Sequence, residues 1–195
     1  MNGKFIVLYG VNNLGKSTQA KKLVERLQST GHKAEYLKYP VYDLEPSGKL
    51  INEYLREGNP HNLTPREVQL MYVWNREHYE PTLKQKLASG IHIISEDYVG
   101  TGLAWGIGTG IDETFIKYLN AHLHQEDMAF IFDGERFVEA TEKTHRHETD
   151  HDLLEHVREI YCRLGREYGW IPIDANDSIE KIHEIIWKNV SKSLQ

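Results

Sequence analysis

The apolar run Phe5-Ile6-Val7-Leu8-Tyr9 passes directly into Gly10-Val11-Asn12-Asn13-Leu14-Gly15-Lys16-Ser17, and from there into apolar positions at helical spacing. Few local patterns restrict a fold so tightly. A G-x-x-x-x-G-K-S spacing between a strand and a helix is that of a P-loop. Gly10 and Gly15 let the backbone turn sharply enough for successive N–H groups to face one concavity, which a phosphate chain fills. Lys16 adds a cation there and Ser17 offers a hydroxyl to Mg²⁺. The helix that follows contributes unpaired N–H groups and the positive end of its dipole.

Strand and helix signals then alternate along the chain. Ala20, Leu23, Val24 and Leu27 mark the first helix, closed by Gly31, and Ala34 to Tyr39 reads as a second strand stopped by Pro40. A short helix is expected over Leu50 to Leu55. Thr64 as N-cap, Pro65 at the first position and Glu67 closing a capping box start a helix that runs to about His78, with a separate helical stretch, Leu83 to Ala88, after Pro81. Gly90 breaks it before the strand Ile91-His92-Ile93-Ile94, whose end carries Ser95-Glu96-Asp97. Five glycines between Gly100 and Gly110 exceed what an ordinary helix interior tolerates at roughly 1 kcal/mol each, so part of this segment is expected to be loop. Phe115 and Leu119 mark a further helix. The strand Met128 to Phe132 precedes a polar stretch, Glu139 to His151, which is expected to bury little and to be mobile. Leu153, Leu154, Val157, Tyr161 and Leu164 restore a helical stripe, and a last strand, Trp170 to Ile173, leads to a closing helix from Ile179 to Val190.

This order predicts an α/β, P-loop NTPase-type three-layer fold: a mostly parallel five-stranded sheet, helices on both faces, and a lid at about 136–152, within a single domain spanning 1–195. Ligands in such sheets bind beyond the carboxyl ends of the strands. The P-loop, Tyr39-Pro40, Glu96-Asp97, Asp133 and Asp174 are thereby expected on one rim.

Composition narrows the partners. A net charge of −6 over 195 residues argues against nucleic-acid or membrane-surface binding as the main function. The single cysteine, Cys162, excludes an internal disulfide framework and fits a reducing compartment. With no apolar run approaching about 20 residues, and Met1-Asn2-Gly3-Lys4 leading straight into a strand, a cytoplasmic protein is expected.

Several segments in succession resemble the thymidylate kinase family of P-loop nucleoside monophosphate kinases. They are Gly15-Lys16-Ser17-Thr18-Gln19, Tyr39-Pro40, Gly48-Lys49-Leu50, Tyr72-Val73-Trp74-Asn75-Arg76-Glu77, Glu96-Asp97-Tyr98 through Trp105, and Asp174-Ala175-Asn176-Asp177-Ser178-Ile179-Glu180. The resemblance implies ATP and Mg²⁺ as cofactors and a small nucleotide, most often dTMP, as acceptor. It places ATP on Gly10, Asn12, Asn13, Leu14, Gly15, Lys16, Ser17 and Thr18, with Asn176 nearby. Mg²⁺ falls to Ser17 and Glu96, and the acceptor to Tyr39, Pro40, Tyr72, Arg76, Thr101 and Trp105. Tyr72 would stack on the base, and Arg76 would bond its edge or reach the phosphates. The bland reading of Tyr72, Trp74 and Arg76 is a core aromatic pair beside a solvated charge. A homodimer is implied by the resemblance alone.

Asn12 and Asn13 stand where some family members carry a catalytic arginine, so the lid is expected to supply it, with Arg146 the first candidate and Arg136 the second. His145, His147 and His151 are read as solvent-facing rather than metal-binding. Two departures affect the acceptor side. Where the family ends this strand Asp-Arg-Tyr, the chain has Glu96-Asp97-Tyr98, and Tyr42 replaces an arginine expected just after the Tyr39-Pro40 pair. Reversing a charge at 4 Å amounts to several kcal/mol at an effective dielectric near 20. Lys38, Lys49 and Lys117 are therefore candidate substitutes. The change also opens two other readings: a deoxynucleoside or modified-nucleotide kinase, with Glu96 or Asp97 accepting a hydroxyl proton, or a nucleotide-binding protein without transfer activity.

Overall fold

The computed structural model describes residues 2–136 and 150–194. Five parallel strands, β1 (Phe5–Tyr9), β2 (Ala34–Lys38), β3 (His92–Glu96), β4 (Met128–Asp133) and β5 (Ile171–Asp174), form one sheet in the order β2-β3-β1-β4-β5. The central strand β1 is buried at all five positions, which is why it reads as an unbroken apolar run instead of an alternating one. Its register sets Leu8 opposite Glu96 on β3 and Tyr9 opposite Ile131 on β4, so the loops after β1, β3 and β4 open at one edge.

Helices α1 (Lys16–Ser29) and α7 (Ile179–Ser193) cover one face, and α3 (Pro65–Ala88), α4 (Val99–Gly108) and α6 (His151–Tyr168) cover the other. The short α2 (Ser47–Arg56) packs on α3, and α5 (Glu113–Asn120) packs on α4. Among the described residues no helix is long and apolar enough to cross a membrane. The expected lid falls almost wholly on residues 137–149, outside the described residues; His151 and Asp152 lie in the first turn of α6, whose N-cap Asp150 accepts from Leu153 N.

Two expectations are corrected. Pro81 does not divide the third helix: α3 is continuous from Pro65 to Ala88, because Val73, Leu83 and Leu87, on both sides of the proline, bury one common stripe. The proline forfeits one backbone bond and packing outweighs it. Likewise four of the five glycines between 100 and 110 lie within α4, and only Gly110, at φ +86°, follows it in the turn. Helix α4 is pressed between α3, α5 and α6, and its glycines face neighbours that leave no room for a side chain. A Cβ on Gly100 would lie 2.5 Å from Trp170 Cη2 and 2.9 Å from Tyr9 Cε1, while one on Gly108 would lie 2.5 Å from Val157 Cγ2. Propensity is overridden by close packing.

Gly100→Ala is accordingly expected to destabilise the fold by about 1–3 kcal/mol, the usual cost of overpacking, despite the better helix propensity of alanine. A lower urea midpoint with an unchanged slope would report it; a midpoint at or above wild type would contradict this packing.

Candidate active site

The loop between β1 and α1 has the geometry its glycines permit. Gly10 at φ +134° and Gly15 at φ +80° occupy conformations that other residues avoid, and a Cβ on Gly10 would stand 2.6 Å from Phe132 O. Asn13 is also left-handed, at φ +67°. Lys16 is 3% exposed; its Nζ donates to Gly10 O at 2.7 Å and Val11 O at 2.8 Å, which curls the loop around the ammonium.

Beside it, Glu96 at the end of β3 collects three donors, one from α1 and two from β2. Ser17 Oγ donates to its Oε2 at 2.6 Å and Tyr36 OH to the same oxygen at 2.8 Å, while Lys38 Nζ donates to Oε1 at 3.0 Å. Burial alone would push this carboxyl upward; the charges of Lys16 and Lys38, with the Ser17 and Tyr36 hydroxyls, outweigh it and hold Glu96 at about 2. Asp97 shifts the opposite way, because burial raises its carboxyl more than Lys16, 3.8 Å from Oδ1, draws it down, and the neighbouring Glu96 adds to the rise. Its backbone is left-handed at φ +64°, held by Asp97 N donating to Leu8 O, Ser95 Oγ donating to Asp97 O, and Thr101 Oγ1 donating to Oδ1. Asp97 thus turns its charge toward the P-loop lysine.

Asn75, buried on α3, pins the acceptor side. It accepts from Val41 N and donates to Val41 O and Ser47 Oγ, fixing the loop after the cis Tyr39-Pro40 peptide against α2 and α3. Gly48 allows that contact: a Cβ there would lie 2.1 Å from Tyr42 O. The result is a cleft of about 560 Å³ running from the P-loop to α3 and α4.

The cleft brings together Asn12 to Thr18, Tyr39, Pro40, Tyr72, Arg76, Glu96, Asp97, Thr101 and Trp105, so fifteen residues expected from the sequence, apart from Gly10 beneath the loop, meet in one space. Arg76 is not a solvated charge. It is 3% exposed, donates to Asn120 Oδ1 at 2.9 Å and has no carboxylate hydrogen-bonded to it among the described residues, and burial lowers its affinity for its proton. Trp74, by contrast, is exposed on the outer side of α3. Asn176 braces the rim, accepting from Glu135 N at 2.8 Å, while its neighbours Ala175 and Asp177 line the cleft. Arg146, His145 and His147 lie outside the described residues. Arg136 reaches the P-loop, its Nε donating to Asn12 O at 3.2 Å.

Of the three candidate substitutes for the missing arginines, only Lys38 lines the cleft, and it is engaged by Glu96. Lys49 pairs with Glu53 on α2, and Lys117 with Glu113 and Glu167 away from the cleft, which corrects both expectations. The cation at the expected place is Arg56, which sequence reasoning missed. It lines the cleft, donates from Nη1 to Tyr42 OH at 3.1 Å and to Asn52 Oδ1 at 3.1 Å, and sits 5.1 Å from the Tyr42 ring. Gln69 and Asn120 were missed as well. Gln69 had spacing as its signal, since Gln69, Tyr72 and Arg76 share one face of α3; Asn120, at the end of α5, had none.

A family model for thymidylate kinase matches residues 8–186. The chain belongs to the thymidylate kinase family. Thymidylate kinase from Homo sapiens is 32% identical over 192 residues, covering 94% of this chain and 88% of that protein, and that from Plasmodium falciparum is 29% identical, covering 97% and 90%. A solved thymidylate kinase structure from Candida albicans superposes with a TM-score of 0.81 at 22% identity, over 98% of this chain and 92% of the other, which supports the fold. Asp97 and Tyr42, the two positions that the resemblance marks as departures, lie against Lys16 and Arg56 respectively.

The Glu96 network predicts a pH response of the unliganded protein. A carboxyl held at about 2 when folded and near its ordinary value when unfolded adds stability that is complete above about 4.5 and lost as pH falls toward 2. Wild type is therefore expected to melt above Glu96→Gln at pH 6, with the gap narrowing steadily as pH falls from 5 toward 2 in thermal scans. A gap constant across that range would contradict the assignment.

Proposed function

We propose that the protein transfers the γ-phosphate of ATP to dTMP, giving ADP and dTDP. An oxygen of the acceptor phosphate bonds to the γ-phosphorus as the bond from that phosphorus to the β,γ-bridging oxygen breaks. Catalysis of this kind rests on positioning and charge stabilisation. Loop amides and Lys16 hold the β- and γ-phosphates, for which Lys16 leaves the carbonyls of Gly10 and Val11. Tyr72 packs on the acceptor base, Thr101 and Trp105 flank it, and Arg76 meets its edge. Arg56, held by Tyr42, and Lys38 face the acceptor phosphate. The observation that carries the reading is Arg76: a buried guanidinium with a neutral protein partner, at the end of the cleft opposite the P-loop, calls for an electron-rich ligand group there.

The contact of Ser17 Oγ with Glu96 Oε2 sets two hard oxygen donors beside the loop, the donor type Mg²⁺ requires, so Ser17 and Glu96 would hold the ion. When bound, it neutralises charge on the ATP phosphates. Glu96 is unsuited to take a hydroxyl proton, being held at about 2 by the charges of Lys16 and Lys38 and by the Ser17 and Tyr36 hydroxyls. Arg146 is assigned to the transferring phosphoryl group and Arg136 to the P-loop, which it already touches. The chain acts as one domain in the cytoplasm, as a homodimer whose support here is the exposed pair Leu70 and Trp74 on one outer face of α3.

A coupled ADP-release assay across dTMP, dUMP, dCMP, dGMP and thymidine is expected to show turnover with dTMP and none with thymidine; no acceptor-dependent ADP release would overturn the proposal. Arg146→Ala should lower kcat by about 10³-fold or more, in the range of an arginine finger, whereas Arg136→Ala should mainly raise the KM for ATP. The opposite pattern would exchange the two roles. Arg56→Ala is expected to raise the KM for dTMP about tenfold while leaving that for ATP within about twofold, equivalent to about 1.4 kcal/mol of acceptor binding. An unchanged KM for dTMP would remove Arg56 from the phosphate site.

A further inference from the structure

A second cleft, of about 640 Å³, lies between α4 and the starts of β4 and β5 and shares no lining residue with the active site. Its size is that of a small-molecule site. Leu103, Leu123, Met128 and Ala129 give it an apolar lining, and Glu126, in the segment before β4, brings a carboxylate to it.

Glu126 is the uncommitted charge of this cleft. The other charged side chains along it are satisfied: Asp127 accepts from Lys4 Nζ at 3.0 Å and Phe5 N at 2.8 Å, and Lys117 pairs with Glu113 at 2.8 Å and Glu167 at 2.6 Å. Glu126 Oε1 accepts from Tyr9 OH at 3.0 Å, and among the described residues no lysine or arginine pairs with it. Burial raises its carboxyl above the ordinary range, and its own backbone N–H, the Tyr9 hydroxyl and His124 draw it back only in part. A carboxylate withdrawn from water without a cation is costly, and a ligand that supplies the cation removes the cost.

The wall beside it is aromatic. The Tyr9 ring packs on Trp170 at 4.2 Å between centroids, and Trp170 on Tyr168 at 5.9 Å and 18°, so three rings run from the Glu126 carboxylate out to the surface, where Tyr168 is half exposed. Backbone fixes this wall from two sides. Gly100 of α4 lies too close to Tyr9 and Trp170 for any side chain, and Trp170 N donates to Gly165 O at 2.8 Å across the turn at Gly169. The outer end of the wall already carries a cation, since Lys117 Nζ lies 5.7 Å from the Tyr168 ring centroid. Its inner end has the carboxylate and no cation.

We propose that this cleft is a second ligand site that takes a small organic cation, whose primary ammonium group pairs with Glu126 and whose aromatic or alkyl body packs along Trp170 and Leu103. An ammonium group only donates, which complements a carboxylate, and aromatic faces attract cations. An anion would meet Glu126 and Asp127, and a neutral apolar molecule would leave Glu126 unpaired. A metal ion needs more hard donors than the cleft offers: among the described residues no three His, Cys, Asp or Glu side chains are grouped to hold one. The site does not rest on the reaction proposed above, since ATP and dTMP are assigned to the other cleft.

The test titrates the full ¹⁵N-labelled chain with tryptamine, phenethylamine and hexylamine, with ADP and dTMP in excess to fill the active site. The indole N–H signal of Trp170, identified by its loss in Trp170→Phe, should shift saturably with at least one amine. The alcohol of the same skeleton should bind about tenfold more weakly, the worth of one charge-assisted hydrogen bond, and Glu126→Gln should weaken the amine by about the same factor. Turnover of dTMP by Glu126→Gln should stay within about twofold of wild type, because the residue is remote from the phosphates. No amine-dependent shift of Trp170, equal binding of amine and alcohol by wild type, or Glu126→Gln binding the amine like wild type would each overturn the proposal. The first two need no variant to fold. If dTMP is never phosphorylated while the Glu126-dependent shift is seen, the proposed reaction fails and this site stands.

Discussion

The Glu96 carboxylate is the contact on which the active-site edge depends. It takes hydrogen bonds from Ser17 at the start of α1 and from Tyr36 and Lys38 on β2, and so ties the P-loop helix to two strand ends in a buried setting. Carboxylates withdrawn from water are costly unless paired and hydrogen-bonded; here the pairing is complete, which is why the proton is held off to such low pH. Around this anchor the charges alternate, with Lys38 and Lys16 as cations and Glu96 and Asp97 as anions, all but Lys38 buried. The site is thus close to locally balanced, and in the proposed reaction a phosphate chain would replace the carbonyls and Asp97 as neighbours of Lys16.

The opposite end of the cleft is built by shape before charge. Helix α4 keeps its helical course through four glycines because its neighbours approach too closely for side chains: Trp170 and Tyr9 at Gly100, Arg76 at Gly102, Ile116 at Gly106, and Val157 at Gly108. The gap at Gly102 holds a polar group instead of core hydrocarbon, and Gln69 shares the gap at Gly106 with Ile116. The glycines that weaken α4 by propensity are therefore the ones that let α3 present Arg76 and Gln69 to the cleft. Local preference gives way to tertiary packing where a binding surface is made.

The departures from the family pattern also become intelligible as exchanges between elements. Tyr42 carries no positive charge, but its hydroxyl and ring hold Arg56 from the last turn of α2, so the guanidinium arrives from a different helix. Asp97, of the sign opposite to that expected, is turned by its left-handed backbone and by Thr101 toward Lys16. In both cases the substitution is local and its compensation is remote.

The sequence alone determined the parts that depend on short-range order. Gly10, Gly15, Lys16 and Ser17 encode the phosphate loop within eight residues, the unbroken apolar strands encode a parallel sheet covered on both faces, and the Thr64–Glu67 capping box encodes where α3 begins. Matters that depend on contacts between distant segments were decided only by tertiary structure: the continuity of α3 through Pro81, the helical course of the glycine-rich α4, the capture of Glu96 by three donors, and the arrival of Arg56 and Gln69 in the cleft. The physical reason is that helix starts, turns and periodicities are set by neighbours a few residues away. Burial, and with it the pairing of a charge, is set by residues that meet only once the sheet has brought them together.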